Sequence, residues 1–265
     1  MRRMNSAVAA LVFALGATPG LATNQGPVED QAVEMISDVL VPVQIAGPFE
    51  LPWSIGFLPD RNFLITEKPG RLNLVRSDEA AKQIQGLPPI LSGSHGGLLD
   101  VAVDPEFLTS GVLWLSYTHG TEEASTVRIL RARLDLTSNA LVDQQVIFES
   151  DPPAPGLEQL GGRLVWTQGG FLFLTLGDRW EPHRAQDLTD HAGSLIRIRA
   201  DGSIPDNNPF VAVPGAKAEI WSYGHRNPHG LAQDSQTGQI WSVEHGPREV
   251  TNSTSLKAGV TTAGQ

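Results

Sequence analysis

The sequence predicts an all-β protein of the β-propeller class, here an incomplete ring of about four blades. Three observations carry this. A strand–turn–strand unit recurs four times along the chain. Its recurrences fall roughly 45 to 65 residues apart, the range of a propeller blade with insertions. Helical periodicity is nearly absent after the N-terminal segment. A β-sandwich is the structural alternative, but repeated hairpins with further strands between them suit a blade better.

Residues 1–22 read as a secretory signal peptide: Arg2 and Arg3 precede the apolar run Ala7 to Gly16, and Gly20-Leu21-Ala22 ends in small residues. The run is too short to span a bilayer, and no later segment is longer. An exported chain is therefore expected, periplasmic or secreted, with no membrane span. Residues 23–38 form a polar, acidic lead-in, and propeller blades are expected over 39–248, beginning with Val39-Leu40-Val41. The four hairpins follow in order. Ile55 to Asp60 turns into Phe63 to Thr66, and Leu99 to Pro105 turns into Val112 to Tyr117. Arg163 to Trp166 turns at Gly169-Gly170 into Phe171 to Thr175, and Leu231 to Asp234 turns at Gly238 into Ile240 to Ser242. Between them lie the strictly alternating Thr126 to Arg133 and the short apolar run Gln145 to Phe148.

Composition excludes several classes. A net charge of −10, from 19 basic and 29 acidic residues, argues against nucleic acid or an anionic membrane as partner. With no cysteine there is no disulfide, thiolate metal site or cysteine nucleophile. Zinc-helix spacing, a G-x-S-x-G elbow and a phosphate loop are all missing from the sequence. Gly161-Gly162 and Gly169-Gly170 read as turn glycines.

The chemistry concentrates between Glu219 and Arg248. One loop sets Arg226 and Asn227 ahead of Pro228; the next runs Glu244-His245-Gly246-Pro247-Arg248. Arginine offers a planar fork of donors for anionic oxygens, and a Gly-Pro pair turns out backbone carbonyls, hard ligands that suit calcium. The plain alternative is a pair of tight turns with a surface arginine. In a propeller such loops converge at one mouth of the channel, where His95-Gly96-Gly97, Glu158-Gln159 and Gly177-Asp178-Arg179 would join them.

These segments resemble the soluble, pyrroloquinoline quinone (PQQ)-dependent aldose sugar dehydrogenases of the glucose/sorbosone dehydrogenase family. The matching stretches are L-P-W-S-I-G-F-L-P-D, T-E-K-P-G-R-L, G-G-L-L-D-V-A-V-D-P-E-F, G-G-R-L-V and T-L-G-D-R. They continue with A-Q-D-L-T-D-H-A-G-S-L-I-R-I-R-A-D-G-S-I-P-D-N-N-P-F, W-S-Y-G-H-R-N-P-H-G and E-H-G-P-R, in the family's order from Leu51 to Arg248. The resemblance implies a six-bladed propeller with PQQ and calcium at the channel mouth. It also implies oxidation of the anomeric carbon of an aldose to the lactone, with electrons passing to an external acceptor. Arg226 would contact the quinone oxygens with Asn227 beside it, and the carbonyls of Gly246 and Pro247 would hold calcium. Glu158, Asp178 and Gln186 fall in matching cofactor-side loops, and His95 is in a loop where the family has a polar cofactor contact, a plain turn histidine being the alternative there.

Two departures stand out. The family's base, a histidine four residues before the arginine of G-G-R-L, is replaced by Gln159, which cannot accept a proton near neutral pH. Glu158 could substitute only with a raised pKa. The second departure is the tail, residues 249–265, which lacks strand-like apolar content and is read as non-homologous. Codons permitted for Arg248 to Ser253 and for Gly259 to Gln265, read one base out of frame, spell G-G-D-E-L-N and G-R-N-Y-G-W-P, the family's continuation. A frameshift near the Arg248 codon is thus expected, leaving the earlier blades of the enzyme with strand edges unpaired and poorly soluble. The competing readings are a non-catalytic propeller that binds a sugar or partner, favoured by Gln159, and a calcium-dependent lactonase, for which the loops carry too few acidic side chains.

Overall fold

The computed structural model describes residues 43–77, 79–246 and 251–259. The signal-peptide and lead-in segments, the strand expected at Val39-Leu40-Val41, and Pro247 and Arg248 lie outside the described residues. The chain divides into two units at Gly47/Pro48. Of the first, residues 43–47 are described and carry no regular structure.

The second unit is a four-bladed propeller arrangement of antiparallel sheets, each running in chain order. Blade one holds β1 (Pro52–Phe57), β2 (Phe63–Glu67), β3 (Arg71–Val75) and β4 (Lys82–Ile84). Blade two holds β5 (Leu98–Val103), β6 (Val112–Gly120), β7 (Ser125–Asp135) and β8 (Ala140–Glu149), with one helical turn, α1 (Phe107–Ser110), after β5. Blade three holds β9 (Leu164–Trp166), β10 (Phe171–Thr175), β11 (Ser194–Arg199) and β12 (Ile220–Tyr223). The fourth sheet has three described strands, β13 (Pro228–Gln233), β14 (Ile240–His245) and β15 (Thr251–Leu256).

β15 corrects the sequence reading of the tail. It pairs with β14 from Ile240↔Leu256 to His245↔Thr251. Apolar content missed it because an outer strand is held by ladder hydrogen bonds and by β-branched or small residues against a pleated neighbour. Leu256, at 7% exposure, is its buried anchor.

The two-residue period of each strand explains how blades stack. On β6, Leu113, Leu115 and Tyr117 pack with Leu64, Leu72 and Leu74 of blade one. The intervening Val112 and Trp114 pack with Leu172 and Leu174 of blade three. Trp114 stacks on Trp166 at 4.7 Å and 7°. On blade three the alternate face carries Phe173 and Leu195, which meet Ile240 and Leu256. Each such leucine, fully buried, contributes about 1.5–3 kcal/mol, so the face-to-face contact of blades is the main source of stability.

The first strands of successive blades, β1, β5, β9 and β13, lie side by side along the central channel. A pair formed by buried Asp100 and half-buried Arg163 ties them together. Asp100, on β5, accepts from Ser54 Oγ of β1, from Val101 N at 2.9 Å and from Leu164 N of β9 at 2.8 Å. Arg163 lies 3.4 Å from Asp100 and donates from Nε to the His229 carbonyl of β13 at 2.8 Å. All four blades are therefore joined through two side chains. Among the described residues no helix is long and apolar enough to cross a membrane.

Candidate functional site

The loops that enter β5, β9 and β13 and the loops that leave β10 and β14 are joined by hydrogen bonds around Arg226 and Gln159. Arg226 donates from Nη1 to the carbonyls of His245, at 2.8 Å, and Gly246, at 3.1 Å. Its Nη2 donates to the side-chain oxygen of Gln159 at 3.0 Å, while the Gln159 amide nitrogen donates to Asp178 Oδ1. These two neighbours fix the amide's orientation, since a carboxylate can only accept and a guanidinium can only donate. The Gln159 backbone N–H in turn donates to His95 Nδ1 at 3.2 Å. The convergence expected of His95, Gln159, Asp178, Arg226 and Gly246 is thus present; Pro247 lies outside the described residues.

Each member is held from behind. The Arg226 backbone N–H donates to Glu244 Oε2 at 2.8 Å, and its carbonyl accepts from Asp178 N at 2.8 Å. Burial alone would lift the Glu244 carboxyl, but bonds to His225 and to the Arg226 and Asn227 amides hold it below the usual carboxylate range. Asp178 is 2% exposed, and burial raises its pKa against the bond from Trp180 N and the nearby Arg226 charge. Asn227 is buried, and its Oδ1 accepts from Gly161 N at 3.3 Å, so it braces the glycine turn rather than facing the mouth. Gly161 and Gly162 are turn glycines: a Cβ at Gly162 would meet Leu99 Cδ1 at 2.4 Å, and its φ is +97°.

Glu158 is corrected as a substitute base. Hydrogen bonds from Ser94 and from Leu157 N hold its carboxyl below the ordinary value, the opposite of the raised pKa the role requires. Gln186 sits exposed in the single 3-10 turn Arg184–Gln186.

Sequence reasoning named Arg179 in a converging loop without giving it a role and missed Trp180, Trp53 and His229 at this mouth. Arg179, pushed down to about 10 by burial, clamps the Gln159 loop by donating to Glu158 O at 3.1 Å and Gly156 O at 2.6 Å. Trp180, 58% exposed, lies under the Arg226 guanidinium at 5.2 Å. Trp53 carries the Arg163 guanidinium at 4.2 Å. His229 packs edge-on against His245 at 5.4 Å and against Trp53 at 6.4 Å. Burial first, then the charges of His245, His95, Arg163 and Lys68, push its pKa down to about 4. His229 was within reach of the sequence, two residues from Leu231 on an alternating strand.

The donor set suits an anionic, oxygen-rich ligand. Lys68, whose pKa burial lowers, the imidazoles and Arg226 surround the mouth, while the nearby carboxylates Asp178 and Glu244 are buried and already bonded. The fit to PQQ, a planar quinone bearing carboxylates, is good on that ground. Calcium fits less directly: the Gly246 carbonyl is shared with Arg226, and the described residues hold no cluster of three His, Asp or Glu able to take a metal.

A family model described as Glucose / Sorbosone dehydrogenase matches residues 49–259, running into the segment read from the sequence as a non-homologous tail. The chain is 38% identical over 200 residues to aldose sugar dehydrogenase YliI of Escherichia coli K12, covering 74% of this chain and 54% of that protein. It is 27% identical over 228 residues to quinoprotein glucose dehydrogenase B of Acinetobacter calcoaceticus, covering 76% of this chain and 46% of that protein. A solved glucose dehydrogenase matches with a TM-score of 0.81 at 35% identity, over 84% of this chain and 70% of that one. The chain thus spans about half the length of these two sequence relatives.

Proposed function

The chain belongs to the glucose/sorbosone dehydrogenase family, and from that premise we propose that its loop cluster serves the oxidation of an aldose at the anomeric carbon, with PQQ as cofactor and an external electron acceptor. The observation that carries this is the linking of five loops by hydrogen bonds around Arg226 and Gln159. When bound, the quinone supplies acceptance of two electrons from the sugar. The protein's part is positioning and charge. Arg226, backed by Trp180 and Glu244, presents a fixed fork to anionic oxygens and stabilises charge that develops there. Its two carbonyl partners, His245 and Gly246, are the bonds it exchanges for ligand oxygens. Gly246, with Pro247, is the proposed calcium ligand once Arg226 has left it, because a guanidinium and a dication do not share one carbonyl oxygen at close range. His95 and Asp178 act through Gln159, holding its loop against Arg226. The site of action is proposed to be the periplasm or the extracellular space, from the N-terminal signal.

Gln159 favours a second reading, a sugar-binding propeller without catalysis. Its amide is locked between Asp178 and Arg226 and has no proton-accepting capacity. The test is reconstitution of the 265-residue chain with PQQ and calcium, followed by dye reduction with a panel of aldoses. Reduction that needs sugar, quinone and metal together is expected. No reduction by the wild type or by Gln159→His, with sugar binding retained in calorimetry, selects the binding module.

A further inference from the structure

We propose that His229 is the proton acceptor for the anomeric hydroxyl, filling the role that Gln159 cannot; this rests on the dehydrogenase reading above. Three imidazoles stand at the mouth. His95 spends its Nδ1 lone pair on the Gln159 N–H, so its neutral ring carries hydrogen on Nε2 and offers no second acceptor. His245 lies exposed on the rim. His229 lines an open cleft of about 500 Å³ whose walls include Ser54, Arg163, Leu231 and Trp241.

The surroundings of His229 suit a base. Trp53 and His245 flank the ring at 6.4 and 5.4 Å and hold its orientation by packing alone. Among the described residues neither ring nitrogen takes part in a hydrogen bond, although the imidazole is half-buried. Its carbonyl is fixed by Arg163 Nε at 2.8 Å, so the ring is carried on a rigid strand rather than a loop. Burial and the surrounding His245, His95, Arg163 and Lys68 keep the ring neutral, with a lone pair free throughout the neutral range.

The step balances as follows. The anomeric O–H bond breaks and its proton passes to a His229 ring nitrogen. The C1 hydrogen would leave with its electron pair as hydride, the two-electron acceptance being the chemistry the quinone would supply. The C1–O bond becomes the lactone carbonyl. His229 then returns its proton to water.

Two measurements test this. In the first, the full chain without quinone, labelled with ¹⁵N at histidine, is titrated with D-glucose and followed by NMR, the His229 signals being assigned from His229→Gln. The His229 nitrogens are expected to shift saturably with sugar; nitrogens that do not move overturn the proposal. In the second, His229→Gln in the PQQ- and calcium-loaded chain is expected to lower kcat/KM by about 10²–10³-fold at an unchanged melting temperature. Adding Gln159→His to that variant is expected to recover at least part of the loss, which a merely structural role for His229 would not allow. Wild-type rates in His229→Gln overturn it. If the loaded wild type reduces no dye while sugar still moves the His229 nitrogens, the dehydrogenase reading fails and takes the proton-acceptor role with it, leaving His229 as a sugar contact.

Discussion

Arg226 donates to the Gly246 carbonyl at 3.1 Å, so the residue proposed to hold an anion already covers the oxygen proposed to hold a cation. The two ligands are therefore coupled. A unit charge 4 Å from a dication in a site of intermediate polarity opposes it by several kcal/mol, and each 1.4 kcal/mol is tenfold in affinity. Calcium titration by calorimetry is expected to show weak binding to the wild type alone, binding at least about tenfold tighter when PQQ is present, and tighter binding to Arg226→Gln without PQQ. Equal calcium affinity in all three samples would remove Gly246 from the metal site.

The Asp100–Arg163 pair predicts how the blades are held together. Asp100 is 4% exposed and receives bonds from β1, β5 and β9, while Arg163 reaches β13. Removing Asp100 leaves the buried Leu164 amide without its acceptor and takes one partner from Arg163, which keeps its bonds to the His229 carbonyl and to Ser54 Oγ. Asp100→Ala is expected to cost about 1–3 kcal/mol in urea unfolding, as leaving a buried donor unsatisfied does. A loss below about 1 kcal/mol would show that apolar blade faces, not this knot, hold the channel strands in place.

Much of the architecture could be read from residues alone, because a two-residue apolar period is a backbone property. Leu113-Trp114-Leu115 announces a strand buried on both faces, and the structure uses both. β15 could not be read that way, since Ser253 to Ser255 owe their strand conformation to the β14 ladder rather than to their own burial. At the site, motif order brought His95, Gln159, Asp178, Arg226 and Gly246 together correctly. Residue types did not reveal that Asn227 turns inward to Gly161 or that Glu158 is held acidic by Ser94 and the Leu157 amide. Such facts depend on side-chain direction at a turn, which has no period.

Gly177 sits behind the cluster, and its substitution probes the site without touching a charged group. A Cβ there would lie 2.2 Å from the Gln159 carbonyl oxygen and 3.1 Å from Asn227 Oδ1. Backbone must shift to relieve that contact, so Gly177→Ala is expected to destabilise by about 1–3 kcal/mol. It should also move the Gln159 amide off Asp178 and Arg226, read as shifted Gln159 side-chain signals in NMR. An unchanged Gln159 spectrum would mean that the loop absorbs the methyl group elsewhere.

Acid stability provides the last expectation, and its sign follows from two groups at one mouth. His229 has its folded pKa pushed down from 6.5 to about 4 by burial and by His245, His95, Arg163 and Lys68. Below 6.5 the unfolded chain takes up a proton that the folded chain refuses, so this histidine draws stability away as pH falls from about 6.5 to 4. Glu244 is lowered from 4.5, so its contribution is fully present above that value and is lost only as pH falls further, through its folded pKa. The interval between 4.5 and 6.5 thus reports His229 and not Glu244. Urea midpoints measured across it are expected to fall with acidity in the wild type and to fall less in His229→Gln, with m-values unchanged. Parallel curves for the two proteins would show that His229 protonates on the folded chain as readily as on the unfolded one, which is incompatible with an imidazole packed between Trp53 and His245 beside the Arg163 guanidinium.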